Sequence, residues 1–259
     1  MNVLDRFRLE QKVAVVTGGS GLYGRQIVTA LAEAGAVVYT ASRTLESNER
    51  FAAEMREKGL DVRALCVDQG SEESVLALRD TILQACGHID ILVNNAVLRP
   101  MKSWEDSPEH FTQSMVVNAT GLFIITRALG DQMAKQGGGS IINIGSYMGV
   151  LGPDDELYKG TPVSGFVPDY FFHKGGMVNF TKFTASLYGE RQVRCNVLNL
   201  GGFYNGQDAG FVENYNKRTF LKRMANETDI MGAVVYLASD ASAYLTGAAI
   251  PVDGGYSAK

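Results

Sequence analysis

The chain has 259 residues, a formal net charge of −4 at pH 7, an apolar fraction of 46% and a charged fraction of 20%. This composition is typical of a globular protein with a sizeable core, and the slightly acidic balance argues against a nucleic-acid partner. Because no segment reaches the roughly 18 consecutive apolar residues of a membrane span, we expect no membrane partner either.

The N-terminal segment and the cysteines predict a cytoplasmic protein. Residues 1–11 carry four charged side chains and lack the apolar stretch of a signal peptide. Cys66, Cys86 and Cys195 are scattered within apolar segments, which predicts reduced core residues. The three histidines share no metal-ligand spacing with one another or with the cysteines, so we expect no metal site.

Short apolar segments alternate with helical patterns along the chain. Uninterrupted apolar strands separated by helices are typical of a parallel sheet covered on both faces. We therefore predict an α/β protein with a single doubly wound, seven-stranded parallel sheet of the Rossmann type, forming one domain over residues 1–259. The predicted strands are 13–17, 37–41, 62–67, 89–93, 140–144, 193–198 and 248–252. The predicted helices are 25–34, 49–58, 72–85, 107–133, 170–190 and 229–239.

A glycine-rich turn joins the first predicted strand to the first helix. Glycine permits backbone angles that other residues avoid and lets the chain approach a pyrophosphate closely. The helix that follows directs its free N–H groups and its positive dipole end towards such an anion. The turn predicts a dinucleotide site formed by Gly18, Ser20, Gly21, Leu22, Tyr23 and Gly24.

The end of the second strand indicates which dinucleotide binds. An acidic residue there would bind the ribose 2′-hydroxyl of NAD, but this chain has Ser42 and Arg43. The planar guanidinium of arginine binds phosphate oxygens in pairs, so Arg43 favours NADP, with NAD as the alternative. Asp68, at the end of the third strand, is a candidate to accept a hydrogen bond from the adenine amino group.

A tyrosine and a lysine form the candidate catalytic pair. Tyr170 and Lys174 are four residues apart in a predicted helix, so they share one helix face. Ser146 lies at the end of the fifth strand, and Asn118 lies inside the long helix that precedes this strand.

The order of these motifs resembles the classical short-chain dehydrogenase/reductase family over nearly the whole chain. The resemblance implies that Tyr170 is the general acid or base, that Lys174 lowers the pKa of Tyr170 and binds the nicotinamide ribose, and that Ser146 polarises the substrate oxygen. Asn118 would support a water linked to Lys174. The family motifs are the turn at 17–24, Asn94-Asn95-Ala96, Asn118 with Gly121, 143–146, Tyr170 with Lys174, Asn196 with Leu200-Gly201, and the tail at 239–255.

The same resemblance adds Asn95, Ala96 and Gly201 to the predicted cofactor site and implies a homotetramer or dimer. It predicts an oxidoreductase that transfers a hydride between NADP(H) and a secondary alcohol or ketone. Two alternatives remain open. The glycine spacing also resembles sugar-nucleotide epimerases and dehydratases, and a non-catalytic dinucleotide-sensing protein would share the fold.

Two segments are predicted to shape the substrate pocket. Residues 150–169 form an insert between Ser146 and the helix of Tyr170, and residues 202–224 occupy the position of a mobile lid. The insert resembles a subgroup associated with bacterial sugar and surface-glycan metabolism, which favours a sugar or polyol derivative as substrate. The candidate substrate residues are Val97, Tyr147, Tyr158, Phe203 and Tyr204.

Overall fold

The computed structural model describes residues 2–258, and within these residues seven strands form one parallel sheet. The strands are β1 (Val13–Thr17), β2 (Val37–Ser42), β3 (Val62–Cys66), β4 (Ile91–Asn94), β5 (Gly139–Ser146), β6 (Val193–Leu200) and β7 (Ala249–Val252). Their order across the sheet is β3-β2-β1-β4-β5-β6-β7. This confirms the predicted doubly wound α/β fold.

Helices connect the strands. They are α1 (Leu22–Glu33), α2 (Leu45–Glu57), α3 (Glu72–Cys86), α4 (Pro108–Met115), α5 (Leu122–Gln136), α6 (Asp155–Tyr158), α7 (Pro168–Tyr188), α8 (Ala209–Arg218) and α9 (Met231–Ala238). A π-helical segment, Val116–Gly121, joins α4 to α5. The single helix predicted over 107–133 therefore consists of two α-helices joined directly by a π-helical segment.

The core lies in two layers, one on each face of the sheet. Side chains alternate along a strand, so Ala14 and Val16 of β1 face one layer while Val13 and Val15 face the other. Helices α1, α2 and α9 cover the first face, and α3, α5 and the end of α7 cover the second. Burial on both faces explains why the strands read as continuous apolar segments.

Three details differ from the sequence prediction. Strand β4 begins at Ile91, because the backbone N–H and carbonyl of Ile89 bond the side chain of Gln136 instead of a neighbouring strand. Cys66 is exposed at the end of β3 and does not belong to the core. Helices α6 and α8, in the predicted insert and lid, were not predicted.

The carboxyl ends of all seven strands lie at one edge of the sheet, as parallel pairing requires. The strand order reverses between β1 and β4, and ligands of such sheets bind at this switch point. Within residues 2–258, no helix is long and apolar enough to cross a membrane.

Candidate active site

A cavity of about 830 Å³ opens at the carboxyl edge of the sheet. Its walls come from the turn after β1, the loops after the next strands, the ends of β5 and β6, and the insert. The predicted site residues that line it are Gly18, Ser20, Gly21, Leu22, Tyr23, Ser42, Arg43, Asp68, Asn95, Ala96, Val97, Ser146, Tyr147, Tyr158, Tyr170, Lys174, Gly201 and Phe203.

Three predicted site residues do not line this cavity. Gly24 faces the turn itself, where a Cβ atom would overlap the carbonyl oxygen of Gly18 and lie 2.8 Å from the Cα of Gly19. Tyr204 is 55% exposed, and its backbone N–H donates to the carbonyl of Ala225 at 2.9 Å. Asn118 lies beneath the cavity and is described below.

The glycine turn has the shape of an anion cradle. Gly18 has a φ of +66°, and a Cβ atom there would lie 3.1 Å from the Cα of Ala96. Helix α1 begins at Leu22 without a side-chain cap, which leaves its first backbone N–H groups to an external acceptor. These features fit the pyrophosphate of a dinucleotide.

Asn95 fixes the turn against β4. Its side-chain nitrogen donates to the carbonyls of Thr17 and Gly18, at 3.0 and 2.9 Å. The hydroxyl of Thr17 in turn accepts the backbone N–H groups of Asn95 and Ala96. Because its amide nitrogen bonds these two carbonyls, Asn95 holds the wall of the cavity in place.

The far end of the cavity lies above β2 and β3. Arg43 is exposed there and forms no ion pair with any residue between 2 and 258. Ser42 accepts a hydrogen bond from the Nδ2 of Asn48 at 2.9 Å, and Asp68 accepts the backbone N–H of Gly70 at 3.0 Å. This end therefore presents an unpaired cation beside the place predicted for the adenosine.

Ser146, Tyr170 and Lys174 meet at the other end of the cavity. Ser146 is the last residue of β5, and Tyr170 and Lys174 lie one turn apart on α7. The hydroxyl of Ser146 accepts the backbone N–H of Met148 at 3.2 Å, and its proximity to the phenol lowers the pKa of Tyr170. The Nζ of Lys174 donates to the carbonyl of Ile144 at 2.5 Å and lies 5.7 Å from the centre of the Tyr170 ring.

Burial and nearby charge act on these groups in opposite directions. Burial is the largest effect and raises the pKa of Tyr170 above its usual value, although the guanidinium of Arg99 and the hydroxyl of Ser146 act to lower it. Burial, assisted by Arg99, lowers the pKa of Lys174 to about 7. A lysine with such a pKa can exchange its proton near neutral pH.

Arg99 is a site residue that the sequence reasoning missed. It lies in the loop after β4, lines the cavity, and places its Cζ atom 4.8 Å from the centre of the Tyr170 ring. The only sequence signal was a charged residue shortly after a strand that ends at the carboxyl edge. Arg99 is a second cation beside the phenol, in addition to the predicted Lys174.

Asn118 lies in the π-helical segment beside a small second cavity of about 10 Å³, roughly the volume of one water. Its side chain accepts the backbone N–H of Leu98 at 2.9 Å and donates to the carbonyl of Leu98 at 2.7 Å and to Ser114 at 2.9 Å. Asn118 therefore holds the loop that carries Arg99. Lys174 and His173 also line this second cavity.

Comparison with known proteins gives the family. A family model described as enoyl-(acyl carrier protein) reductase matches residues 20–257. A short chain dehydrogenase/reductase of Aspergillus oryzae is 34% identical over 268 residues, which cover 98% of this chain and 97% of that protein. The chain belongs to the short-chain dehydrogenase/reductase family. It is an oxidoreductase of CH–OH groups, in a family that uses NAD(P).

Two further similarities concern members with named substrates. The D-threitol dehydrogenase of Mycolicibacterium smegmatis is 32% identical over 261 residues, covering 98% of this chain and 95% of the relative. The crystal structure of a gluconate 5-dehydrogenase from Burkholderia cenocepacia, in complex with NADP and tartrate, matches with a TM-score of 0.90. The two sequences are 29% identical, and the match covers 100% of this chain and 100% of that chain.

The insert of this dehydrogenase/reductase packs on the segment predicted as a lid. Asp154 pairs with Arg218 of α8 at 2.8 Å, and the ring centre of Tyr158 lies 5.8 Å from that of Phe211. The hydroxyl of Thr161 donates to the backbone carbonyl of Tyr158. The polar groups of the insert are thus largely used within the protein, while Tyr158 contributes to the cavity wall.

Proposed function

We propose that the protein transfers a hydride between NADP(H) and a secondary alcohol or ketone of a sugar or polyol derivative, with Tyr170 as the acid–base residue. The observation that carries this proposal is that Ser146, Tyr170 and Lys174 line the same dinucleotide-sized cavity as the glycine turn after β1. Lys174 lies one helical turn further on.

Ser146 and Tyr170 have different roles at the reacting carbon. The nicotinamide, when bound, supplies the hydride chemistry. Ser146 holds the substrate oxygen, and the Oη of Tyr170 gives it a proton during reduction or takes one during oxidation. Activity near neutral pH requires the pKa of a tyrosine to fall from about 10 by roughly 3 units, or about 4 kcal/mol, and nearby cations act in that direction.

The cofactor would be held along the strand ends. The turn after β1 suits the pyrophosphate, and Lys174 would bond the nicotinamide ribose. Arg43 supports the choice of NADP, because an unpaired guanidinium suits a 2′-phosphate. The NADP bound to the related gluconate 5-dehydrogenase agrees with this choice.

The substrate class rests on the relatives and on the wall of the cavity. One named relative acts on threitol, and the related structure of a gluconate 5-dehydrogenase contains tartrate, so both point to small polyhydroxylated molecules. The hydroxyl groups of Ser146, Tyr158 and Tyr170 are available along the wall to bond such a molecule. Residues 150–169 and 202–224 would close over it as insert and lid.

We also infer a homo-oligomer, a dimer or a tetramer, of single-domain cytoplasmic subunits. Large apolar side chains lie exposed on α5 and α7, including Phe123 at 44%, Phe183 at 60% and Leu187 at 51% exposure. An exposed apolar face of this kind is typical of a surface that a second subunit covers. Light scattering at several protein concentrations tests the state.

A substrate panel tests the proposed reaction. Sugars, polyols, aldonic acids, simple ketones and steroid ketones are each assayed with NADP(H) and NAD(H), and turnover is followed by the absorbance of the reduced nicotinamide. We expect turnover of polyhydroxylated substrates with a preference for NADP(H). Activity confined to long apolar ketones, or to NAD(H), would contradict the corresponding part of the proposal.

A further inference from the structure

Arg99 brings a positive charge to the catalytic end of the cavity. Its Cζ atom lies 4.8 Å from the centre of the Tyr170 ring, and it lines the same cavity as Ser146. Among residues 2–258, no carboxylate lies within ion-pair distance of this guanidinium. Its charge is therefore free for a ligand that reaches Tyr170.

The acids near this end of the cavity form no ion pair with Arg99. Asp169, next to Tyr170 in the chain, is buried without a hydrogen-bond partner among the described residues, and Asp155 of the insert is exposed and unpaired there. In the insert, Asp154 pairs with Arg218 at 2.8 Å, and Glu156 pairs with Lys159 at 3.2 Å. Asp68 also lines the cavity but lies after β3, four strand positions from β5, which is about 19 Å across the sheet. Among residues 2–258, Arg99 therefore has no carboxylate as an ion-pair partner.

The loop that carries Arg99 is held in place. Both backbone polar groups of Leu98 bond the side chain of Asn118, at 2.9 and 2.7 Å. Asn118 is itself 4% exposed and is fixed by Ser114. A cation on a braced loop loses less entropy when it binds a ligand than a cation on a free loop.

We propose that Arg99 binds a carboxylate of the substrate, so that the enzyme acts on a polyhydroxylated acid or its keto acid in preference to a neutral polyol. A guanidinium matches a carboxylate through two parallel hydrogen bonds. Lys174 also lines this end of the cavity but is buried and bonded to Ile144, and Lys102, which bonds the backbone carbonyl of Arg99, does not line the cavity, so Arg99 is the cation that a carboxylate in the cavity can reach.

This inference rests on the proposed function, and the reaction is the same for both substrate classes. The CH–OH carbon loses a hydride to oxidised nicotinamide and its hydroxyl proton goes to Tyr170. The carboxylate stays unchanged on Arg99. Its role is to hold the reacting hydroxyl, a few carbons away, against Ser146 and Tyr170.

Matched substrate pairs give the test. D-Gluconate is compared with D-sorbitol, and tartrate with threitol, at saturating NADP. The wild-type protein should favour the acid of at least one pair in kcat/KM by about 10- to 100-fold, as expected for a hydrogen-bonded charge pair. Arg99→Gln should remove this preference, and Arg99→Lys should restore part of it. Any effect of Arg99 on the phenol is common to both substrates and cancels in the ratio.

Lys159→Gln is the control, because it removes a cation that belongs to the insert and does not line the cavity. It should leave the acid-to-polyol ratio within about threefold of wild type. If Arg99→Gln leaves the ratio unchanged, or if the wild type prefers the polyols in both pairs, the inference is wrong. A preference for sugar phosphates over both would also overturn it.

Succinate separates this inference from the proposed function. It carries carboxylates but no hydroxyl to oxidise, and its binding to the NADP-saturated protein is measurable by calorimetry without turnover. Its Kd should rise about 10-fold or more in Arg99→Gln. Retained, Arg99-dependent succinate binding in a protein that oxidises nothing would refute the function but support the carboxylate site. Turnover of a substrate by a protein whose succinate binding does not depend on Arg99 would support the proposed function but refute the carboxylate site.

Discussion

The guanidinium of Arg99 lies over the ring of Tyr170, with 4.8 Å between the Cζ atom and the ring centre. A cation over an aromatic face is attracted to the ring, and it also stabilises the negative charge of a phenolate. Lys174 approaches the same ring at 5.7 Å from its centre. Two basic side chains from different elements, the loop after β4 and helix α7, therefore lie near one phenol.

The first prediction concerns the pH dependence of alcohol oxidation. Oxidation requires the deprotonated form of Tyr170, so kcat/KM rises with pH through the pKa of that group. Arg99 lowers this pKa, so Arg99→Gln should raise it and move the ascending limb to higher pH. Arg99→Lys should move the limb less. A limb at the wild-type position in Arg99→Gln would show that the guanidinium does not act on the phenol.

The second prediction concerns the choice of cofactor. Arg43→Leu removes the unpaired guanidinium at the adenosine end, so the KM for NADP should rise about 10- to 100-fold, while the KM for NAD changes little. Arg50→Leu is a matched control, because Arg50 pairs with Glu46 on the surface of α2. Initial rates with both cofactors decide the matter. Equal effects on NADP and NAD would mean that Arg43 does not contact the 2′-phosphate.

The third prediction concerns His173, which is 4% exposed and whose two ring nitrogens have no hydrogen-bond partner among the described residues. Burial, then Lys174 and Arg99, lowers the pKa of His173 from 6.5 to about 3. A histidine with a lower pKa in the folded state favours unfolding as pH falls below the unfolded value. At pH 5 this single group should cost about 2 kcal/mol of unfolding free energy relative to pH 7.

His173→Phe tests this, because it keeps a ring in the same space and removes the titrating group. Urea unfolding of both proteins at pH 5 and pH 7 gives the free energies. The wild type should lose about 2 kcal/mol more than the variant on acidification. Parallel losses in the two proteins would mean that His173 is protonated in the folded state.

The fourth prediction compares two helical glycines. A Cβ atom at Gly24 would overlap the backbone of Gly18 in the phosphate turn, whereas one at Gly232 of α9 would meet nothing within 4 Å. Gly24→Ala should therefore displace the turn, destabilise the protein by about 1–3 kcal/mol and weaken NADP binding. Gly232→Ala should be neutral or stabilising by up to about 1 kcal/mol. Unchanged NADP affinity in Gly24→Ala would contradict the proposal that this turn binds the pyrophosphate.

The features that could be predicted from the sequence are those that depend on a regular local pattern of residues. All seven strands were predictable, because burial on both faces leaves short apolar segments such as Val13–Thr17 between helical patterns. The relation between Tyr170 and Lys174 was predictable because a spacing of four places two side chains on one helix face. The turn at Gly18 was predictable because a positive φ favours glycine.

The remainder depends on contacts between distant segments. Arg99 lies in an irregular loop whose path is set by the contact between Leu98 and Asn118, which are 20 residues apart, and no local sequence pattern indicates that contact. Helix α8 has few apolar residues, and its two aromatic ones, Phe211 and Tyr215, pack on the insert and on Tyr147. The expected role of Asn118 at a water also gave no hint that its amide would hold Leu98.

The central claim is that Tyr170 exchanges the proton of the reacting hydroxyl, and Tyr170→Phe tests it most directly. The ring remains, so the Kd for NADP should stay within about threefold of wild type, while kcat should fall about 10²- to 10⁴-fold or more. Tyr244→Phe, on the surface, is the matched control and should keep wild-type turnover. A Tyr170→Phe protein that binds NADP normally and keeps more than about a tenth of wild-type kcat would contradict the account.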